Sequence, residues 1–155
     1  MGLIPFQPAR WTGNGPEVRQ ELPEASATIS IGTPLQRDAN PEYVEEHAGG
    51  ATVTGIVGVA MATVAAGTPA FGTKIPMAVA GLGMEFLGQI WDVSESEVAT
   101  PVLATHLGND FGMVKISGNW YVDEEDTTNV VLIVTAIYPD IKAVLFKFIH
   151  SAIGD

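Results

Sequence analysis

The chain has 155 residues, which is enough for one domain with a hydrophobic core of its own. Its 18 acidic and 7 basic residues give a formal net charge of −11, and no two basic residues are adjacent. This disfavours a nucleic-acid-binding protein, because such proteins carry a basic stripe. The absence of cysteine excludes disulfides, thiolate metal sites and cysteine nucleophiles. The acidic charge suits a protein that stays soluble at high copy number.

The longest uncharged stretch, residues 48–73, raises the question of a membrane span. Its most apolar part, residues 51–66, is shorter than the roughly 20 residues that a spanning helix needs, and β-branched residues dominate its first half. The N-terminus lacks a basic region followed by an apolar one. We therefore expect a soluble protein without a membrane partner.

Residues 1–27 have the features of an extended arm. Four prolines and an Asn-Gly-Pro turn block any helix and favour extended geometry. The segment also carries large apolar groups, which a disordered tail would lack. An extended segment with spaced aromatic anchors is typical of an arm that docks on a partner, and the alternative is an arm that wraps its own domain. The candidate contact residues are Ile4, Phe6, Arg10 and Trp11, with Phe6 and Trp11 as anchors.

Short extended runs separated by turn residues follow the arm. They predict strands at residues 28–31, 35–38, 43–47, 53–61, 75–80 and 85–91. A helix over residues 53–61 is disfavoured by Gly55 and Gly58.

The sequence Ser94-Glu95-Ser96-Glu97 predicts the one helix start, because a serine cap with Glu three residues later satisfies two free amides. Pro101 limits that helix to a short connector. Further strands are predicted at 111–116 and 120–122 around a Ser-Gly-Asn turn, and at 130–138; residues 143–149 fit a strand or a short helix, and we favour the strand. Short strands at this spacing predict an all-β sandwich or barrel with one minor helix.

No motif indicates catalysis or a bound ion. His47, His106 and His150 are far apart in sequence, and no Gly-x-Ser-x-Gly nucleophile elbow is present. The glycine-rich residues 67–74 and 81–86 miss the spacing of phosphate-binding and dinucleotide-binding loops, so we interpret both as turns. The four consecutive acids at 123–126 lack the alternate spacing of a calcium loop and fit a solvated turn. We expect a protein that is not an enzyme and has no metal and no cofactor.

Several segments resemble phage sequences. Residues 31–38 (IGTPLQRD), 54–60 (TGIVGVA) and 65–68 (AAGT) resemble the small β-tulip domain of tailed-phage head decoration, or cement, proteins. Residues 120–129 and 144–148 are similar to a W-Y-V-D, D-T-T-N and V-x-F-x-F ending of predicted phage structural proteins. The resemblance implies an extended arm at 1–27, a β-tulip or small barrel-like domain at 28–92, and a connector helix with further strands at 93–155.

The resemblance further implies a structural virion protein on the outer surface of an icosahedral phage capsid. Its partners would be the major capsid protein and further copies of itself, with a homotrimer favoured and a dimer possible, and the arm would add a strand to capsid subunits. On this view, deleting residues 1–26 leaves a folded domain that no longer binds capsids. The alternatives are another virion β-domain, such as a head-fibre base or a tail-associated protein, or a small β-barrel domain that binds a ligand or is an enzyme.

Overall fold

A computed structural model describes residues 2–24, 27–66, 73–81 and 83–154. In those ranges the chain forms thirteen strands, one four-residue helix, α1 (Leu103–His106), and two 3₁₀ turns, Pro139–Ile141 and His150–Ala152. The strands are β1 (Gln7–Trp11), β2 (Val18–Pro23), β3 (Pro34–Arg37), β4 (Tyr43–Glu46), β5 (Gly58–Ala60), β6 (Ile75–Val79), β7 (Met84–Gly88), β8 (Ile90–Asp92), β9 (Glu97–Val98), β10 (Asp110–Ile116), β11 (Asn119–Asp123), β12 (Leu132–Tyr138) and β13 (Ala143–Phe148). The predicted all-β class with a minor short helix is confirmed.

Five strands form a closed barrel in the order β2-β4-β3-β5-β6, in which β6 pairs again with β2. Among the pairs of these five described strands, only β2–β4 is parallel. Aliphatic side chains, most of them β-branched, fill the barrel interior because five strands leave little room. Its buried apolar residues are Ile29, Leu35, Val44, Val57, Ala60, Val64, Ile75 and Met77. The backbone at Gly58 lies so close to the Met77 side chain that only glycine fits, because a Cβ there would lie 2.7 Å from the Met77 Sδ.

The other eight strands form one sheet in the order β1-β7-β13-β12-β10-β11-β8-β9. A single residue, Gln89, joins β7 to β8, although β13, β12, β10 and β11 stand between those strands in the sheet. The sheet must therefore curl back on itself. The β10–β11 hairpin closes through Ser117 and Gly118 with φ of 51° and 85°, the left-handed pair that a two-residue hairpin turn requires.

The inner side of the curled sheet holds an aromatic core. The Phe146 ring lies 4.8 Å from the Phe6 ring, 5.9 Å from Phe86 and 5.6 Å from Phe148, measured between centroids. Ile56, Val59 and Ala78 from the barrel part of the chain belong to the same buried cluster. The barrel therefore has an interior cluster of its own, and it also contributes residues to the core of the large sheet.

The predicted helix start at Ser94 is wrong. The Asp92 carboxylate accepts hydrogen bonds from the Ser94 hydroxyl and the Glu95 amide, which ties the chain into a turn. Ser96 then adopts a left-handed φ of 56°, which no helix continues through, and β9 returns to pair with β8. The observed helix begins only after Pro101, at Leu103.

The strands do not follow the predicted division at residues 27 and 92. β1 lies in the large sheet and β2 in the barrel, so Gln7–Trp11 and Val18–Pro23 are strands of the domain and not a free arm. β7 and β8, predicted to belong with residues 28–92, lie in the large sheet. The strand pattern in a sequence shows that a segment is extended but not which strand it pairs with. For this reason the predicted boundaries at residues 27 and 92 are wrong.

Two predicted strands are shorter than expected. Residues 28–31 contribute only a bridge between Ile29 and Val64, and residues 53–61 contribute β5 after a bridge between Ile56 and Ile153. Most of the glycine-rich stretch 67–74, with part of the AAGT segment, lies outside the described residues, as does Leu82.

Candidate interaction surface

Phe6, predicted as an anchor for a partner, is buried in the chain's own core with 1% of its surface exposed. Its ring packs edge-on against Phe146, and Gly88 makes the space, because a Cβ there would lie 2.6 Å from the Phe6 ring. The expectation that Phe6 projects toward a capsid is therefore wrong. The apolar pocket that holds the Phe6 ring is formed by residues of the same chain, so the ring needs no partner protein to be buried.

Residues 2–4 are held by the side chain of Gln89, which is 2% exposed. Its Oε1 accepts a hydrogen bond from the Ile4 amide at 3.0 Å, and its Nε2 donates to the Gly2 carbonyl at 3.3 Å. The amide group thus pairs with the backbone much as a neighbouring strand would. A lone Gln between two apolar runs was the one sign of this role in the sequence.

Arg10 fixes the register of β1 on β7. It lies opposite Glu85, and its Nη2 donates to Glu85 Oε1 at 2.7 Å while its Nε donates to Oε2. This two-pronged hydrogen bonding lowers the pKa of Glu85 below its ordinary value, although partial burial acts in the opposite direction. Arg10 therefore positions its own strand, with its side chain still 58% exposed.

An apolar groove of about 320 Å³ lies beside Arg10 on the outer side of the large sheet. We call this surface the β1 face, and its residues are Ala9, Arg10, Leu87, Tyr138, Ile141 and Leu145. Tyr138 and Ile141 are 40% and 44% exposed, which is high for large apolar groups. Trp11 is 39% exposed and lines a separate, smaller cavity with Thr12 and Glu17.

Of the four predicted contact residues, Arg10 and Trp11 lie in β1, and Ile4 and Phe6 lie just before it. Their side chains differ in how far they are exposed to solvent. Arg10 lies on the β1 face, Trp11 lines a different cavity, Phe6 is buried, and Ile4 is half-buried with its amide bound to Gln89. Tyr138 and Ile141 were missed, because Tyr138 is the last residue of the apolar strand predicted at 130–138 and Ile141 lies in the turn after it.

The free edge of β1 is poorly suited to strand addition. Pro8 has no amide proton, the register shifts between Pro8 and Arg10, and Arg10 places a charge on the strand. Proline, bulges and charges are the devices by which proteins block pairing at sheet edges. The expected addition of a capsid strand to this edge is therefore disfavoured.

Acidic side chains gather on the β8–β9 turn and in the loop after β11. Their carboxylates bind turn amides: Glu125 accepts from the Ser94 amide at 2.8 Å, and Asp126 accepts from the Asn129 amide at 2.8 Å. Burial raises the pKa of Asp123, and the Ser94 hydroxyl lowers the pKa of Asp92. Among the described residues, no group of three or more potential ligands could hold a metal ion.

The two buried histidines use both ring nitrogens within the fold. His106 Nε2 lies 2.6 Å from Glu124 Oε2, and its Nδ1 accepts from the Val102 amide at 2.8 Å. His47 Nε2 lies 2.8 Å from the Thr54 carbonyl, and its Nδ1 accepts from the Gly49 amide at 3.0 Å. These histidines hold loops in place and have no free nitrogen for a ligand.

Within the described ranges, every helix is too short to cross a membrane. A scan of protein-family models gave no match, and a search of curated protein sequences gave none either.

Proposed function

We propose that this protein is a structural virion component that binds the outer surface of an icosahedral phage capsid as an oligomer and stabilises the shell of the major capsid protein. The observation that carries the proposal is the β1 face. It combines exposed Tyr138 and Ile141 with an apolar groove on the broad side of the large sheet. A contiguous apolar surface of this kind marks a protein interaction site.

The placement of the phage-like segments supports the same proposal. Residues 34–37 of the IGTPLQRD segment form β3, and residues 58–60 of the TGIVGVA segment form β5, which pair with each other in the barrel. Parts of two of the three segments that resemble the β-tulip domain therefore pair with each other in the closed barrel.

The charge distribution gives the proposed orientation. The acidic residues of the β8–β9 turn and of the loop after β11 do not line the groove of the β1 face. A chain with a net charge of −11 is repelled electrostatically whenever its acidic surface approaches other copies. The β1 face, where Arg10 already neutralises Glu85, avoids that repulsion. We therefore place the β1 face toward the shell and the acidic turns toward solvent.

Binding to purified expanded heads that lack the protein tests the proposal by co-sedimentation. Ile141→Asp places a charge on the β1 face at an exposed position, and we expect binding about tenfold weaker or worse, the loss typical of a disrupted contact centre. The matched control is Leu103→Asp, which charges the exposed apolar residue of α1, 65% exposed, outside the β1 face. Equal binding by both variants would contradict the proposed surface, and no binding of the unaltered protein would contradict the proposed function.

The proposed oligomer has its own measurement. Sedimentation equilibrium of the purified chain should give a multiple of its 16.3 kDa mass, with three copies favoured. A monomer at every concentration, free and on heads, would contradict the oligomeric part of the proposal.

A further inference from the structure

We propose that residues 2–11 are exchanged between copies of the chain, so that the site which holds this segment receives the same segment from a second copy. This proposal rests on the proposed function in one respect: it explains how copies of the chain would join to form the proposed oligomer on a capsid. The exchange itself is a property of the purified chain.

The segment binds the rest of the molecule as a self-contained unit. Gln89 pairs with the backbone of residues 2 and 4, Phe6 fills the space above Gly88 and beside Phe146, and Arg10 binds Glu85. Each of these contacts joins the segment to residues beyond the barrel. The site is thus built for this particular sequence, and a second copy carries the same sequence.

Exchange can include β1 and must stop before β2. Among the described strands, β1 has one neighbour, β7, because it is the edge of the sheet. β2 has two, β4 and β6, and its removal would open the closed barrel. The boundary between the exchanged part and the fixed part therefore falls in residues 12–17.

Residues 12–17, Thr-Gly-Asn-Gly-Pro-Glu, have the properties of a hinge. A Cβ added at Gly13 or Gly15 would meet nothing within 4 Å, so the middle of the loop has room to change conformation. The ends of the loop are held by backbone hydrogen bonds from the Thr12 amide to the Gly83 carbonyl and from the Val79 amide to the Glu17 carbonyl, and exchange breaks the first of these. Six residues span about 20 Å when extended, which is enough to carry β1 away from its own β7. Gly13 has a φ of 95°, a turn conformation that costs glycine little to leave.

Concentration decides between the closed and the exchanged form. Both forms contain the same contacts, so the free-energy difference lies in the hinge and in the loss of freedom on association. A short flexible tether gives its own segment an effective concentration of the order of millimolar. Dilute protein therefore keeps its own segment, while copies crowded on a surface above that concentration exchange.

The absence of cysteine allows a direct test. Gln7 lies opposite Leu87 in the β1–β7 register, so Gln7→Cys and Leu87→Cys are made in separate chains. When the two variants are unfolded together and refolded near millimolar concentration, a disulfide between the two introduced cysteines forms only if β1 of one chain sits on β7 of the other. When equal amounts of the two variants pair at random, about half of the exchanged dimers contain one chain of each variant. Only these dimers can form the disulfide, so about half of the exchanged dimers should carry it.

Two controls fix the meaning of the result. Both substitutions in one chain, oxidised at micromolar concentration, should close within the chain and show that the cysteines can reach each other. Ile133→Cys and Lys147→Cys, opposite each other on β12 and β13 in the same sheet, should give no disulfide between chains when mixed in the same way. The proposal is overturned if the double variant closes and the mixture of Gln7→Cys with Leu87→Cys yields no more interchain disulfide than this control. Head binding that persists in that case would leave the proposed function standing.

Discussion

The barrel and the large sheet differ in one topological property: the barrel is closed, and the sheet has two edges. Each barrel strand has neighbours on both sides, so the barrel has no free strand edge. The sheet leaves β1 and β9 at its ends, and both differ from an ordinary edge, since β1 is bulged and carries Pro8 while β9 has two residues.

The difference separates the roles of the two parts. The closed barrel supplies a compact scaffold whose strands satisfy one another, and the open sheet carries the exposed groove, the acidic turns and the exchangeable segment. The N-terminal residues connect both parts, because β1 belongs to the sheet and β2 closes the barrel. The following variants test whether the two parts differ as their topology implies.

Deleting residues 1–26 should have the largest effect. The deletion removes β2 from between β4 and β6 and removes Phe6 from the shared core, so we expect no cooperatively folded product. Deleting residues 2–11 should spare the closed barrel, since β1 takes no part in it. Circular dichroism and urea unfolding of both forms measure this. A folded product from the longer deletion would show that β2 is dispensable.

Phe6→Ala should destabilise the protein by about 3–5 kcal/mol, the range for truncating a buried Phe. Leu35→Ala, in the barrel core with 0% exposure, should cost about 2–5 kcal/mol. Because the sheet and the barrel share a core cluster, each variant should shift one common unfolding transition. Separate transitions, of which Phe6→Ala moves only one, would mean that the barrel folds independently.

Glu85→Gln should lower the free energy of unfolding by a small amount at neutral pH. The substitution removes the charged partner of Arg10, and the effect is small because the Arg10 side chain is largely exposed to solvent. The folded-state pKa of Glu85 is lowered below its ordinary 4.5, so its contribution is present above that pH and is lost as pH falls through the folded value. The difference in unfolding free energy between the two proteins should therefore vanish in acid. The exposed Glu17–Arg19 pair gives the control, Glu17→Gln, with no change expected at either pH.

Asp123→Asn should stabilise the protein at neutral pH. Burial raises the pKa of Asp123, so ionisation of this carboxyl costs stability above the folded value, and that cost is relieved as pH falls. Asn keeps an oxygen for the Glu125 amide, which Asp123 Oδ1 accepts at 3.1 Å. Thermal unfolding should show a higher midpoint than the unaltered protein at pH 7 and none of this gain in acid. A lower midpoint at pH 7 would indicate that the charge is needed.

The strands were more predictable from the sequence than their partners. Alternating and β-branched runs predicted β6, β10, β12 and β13, because the period of two is a local property. The turn at Ser94 was predicted wrongly, since a capping pattern does not reveal that the Asp92 side chain competes for the same amides. That Phe6 is internal depends on Gly88 and Phe146, which lie far along the chain, so no local pattern could show it.

The candidate surface was predictable only in part for the same reason. Proline spacing and aromatic residues directed attention to residues 4–11, and Arg10 does lie on the β1 face. Tyr138 and Ile141 reach that face through the pairing of β12 with β13 and of β13 with β7, which no single segment encodes.

Cryo-electron microscopy of native particles purified from the source of this sequence tests the central claim most directly. We expect density on the outside of the shell that fits the barrel and the curled sheet, with Tyr138 and Ile141 against the major capsid protein and the acidic turns facing solvent. Particles that lack the protein would contradict the proposed function, and particles that hold it with the β1 face turned to solvent would contradict the proposed surface.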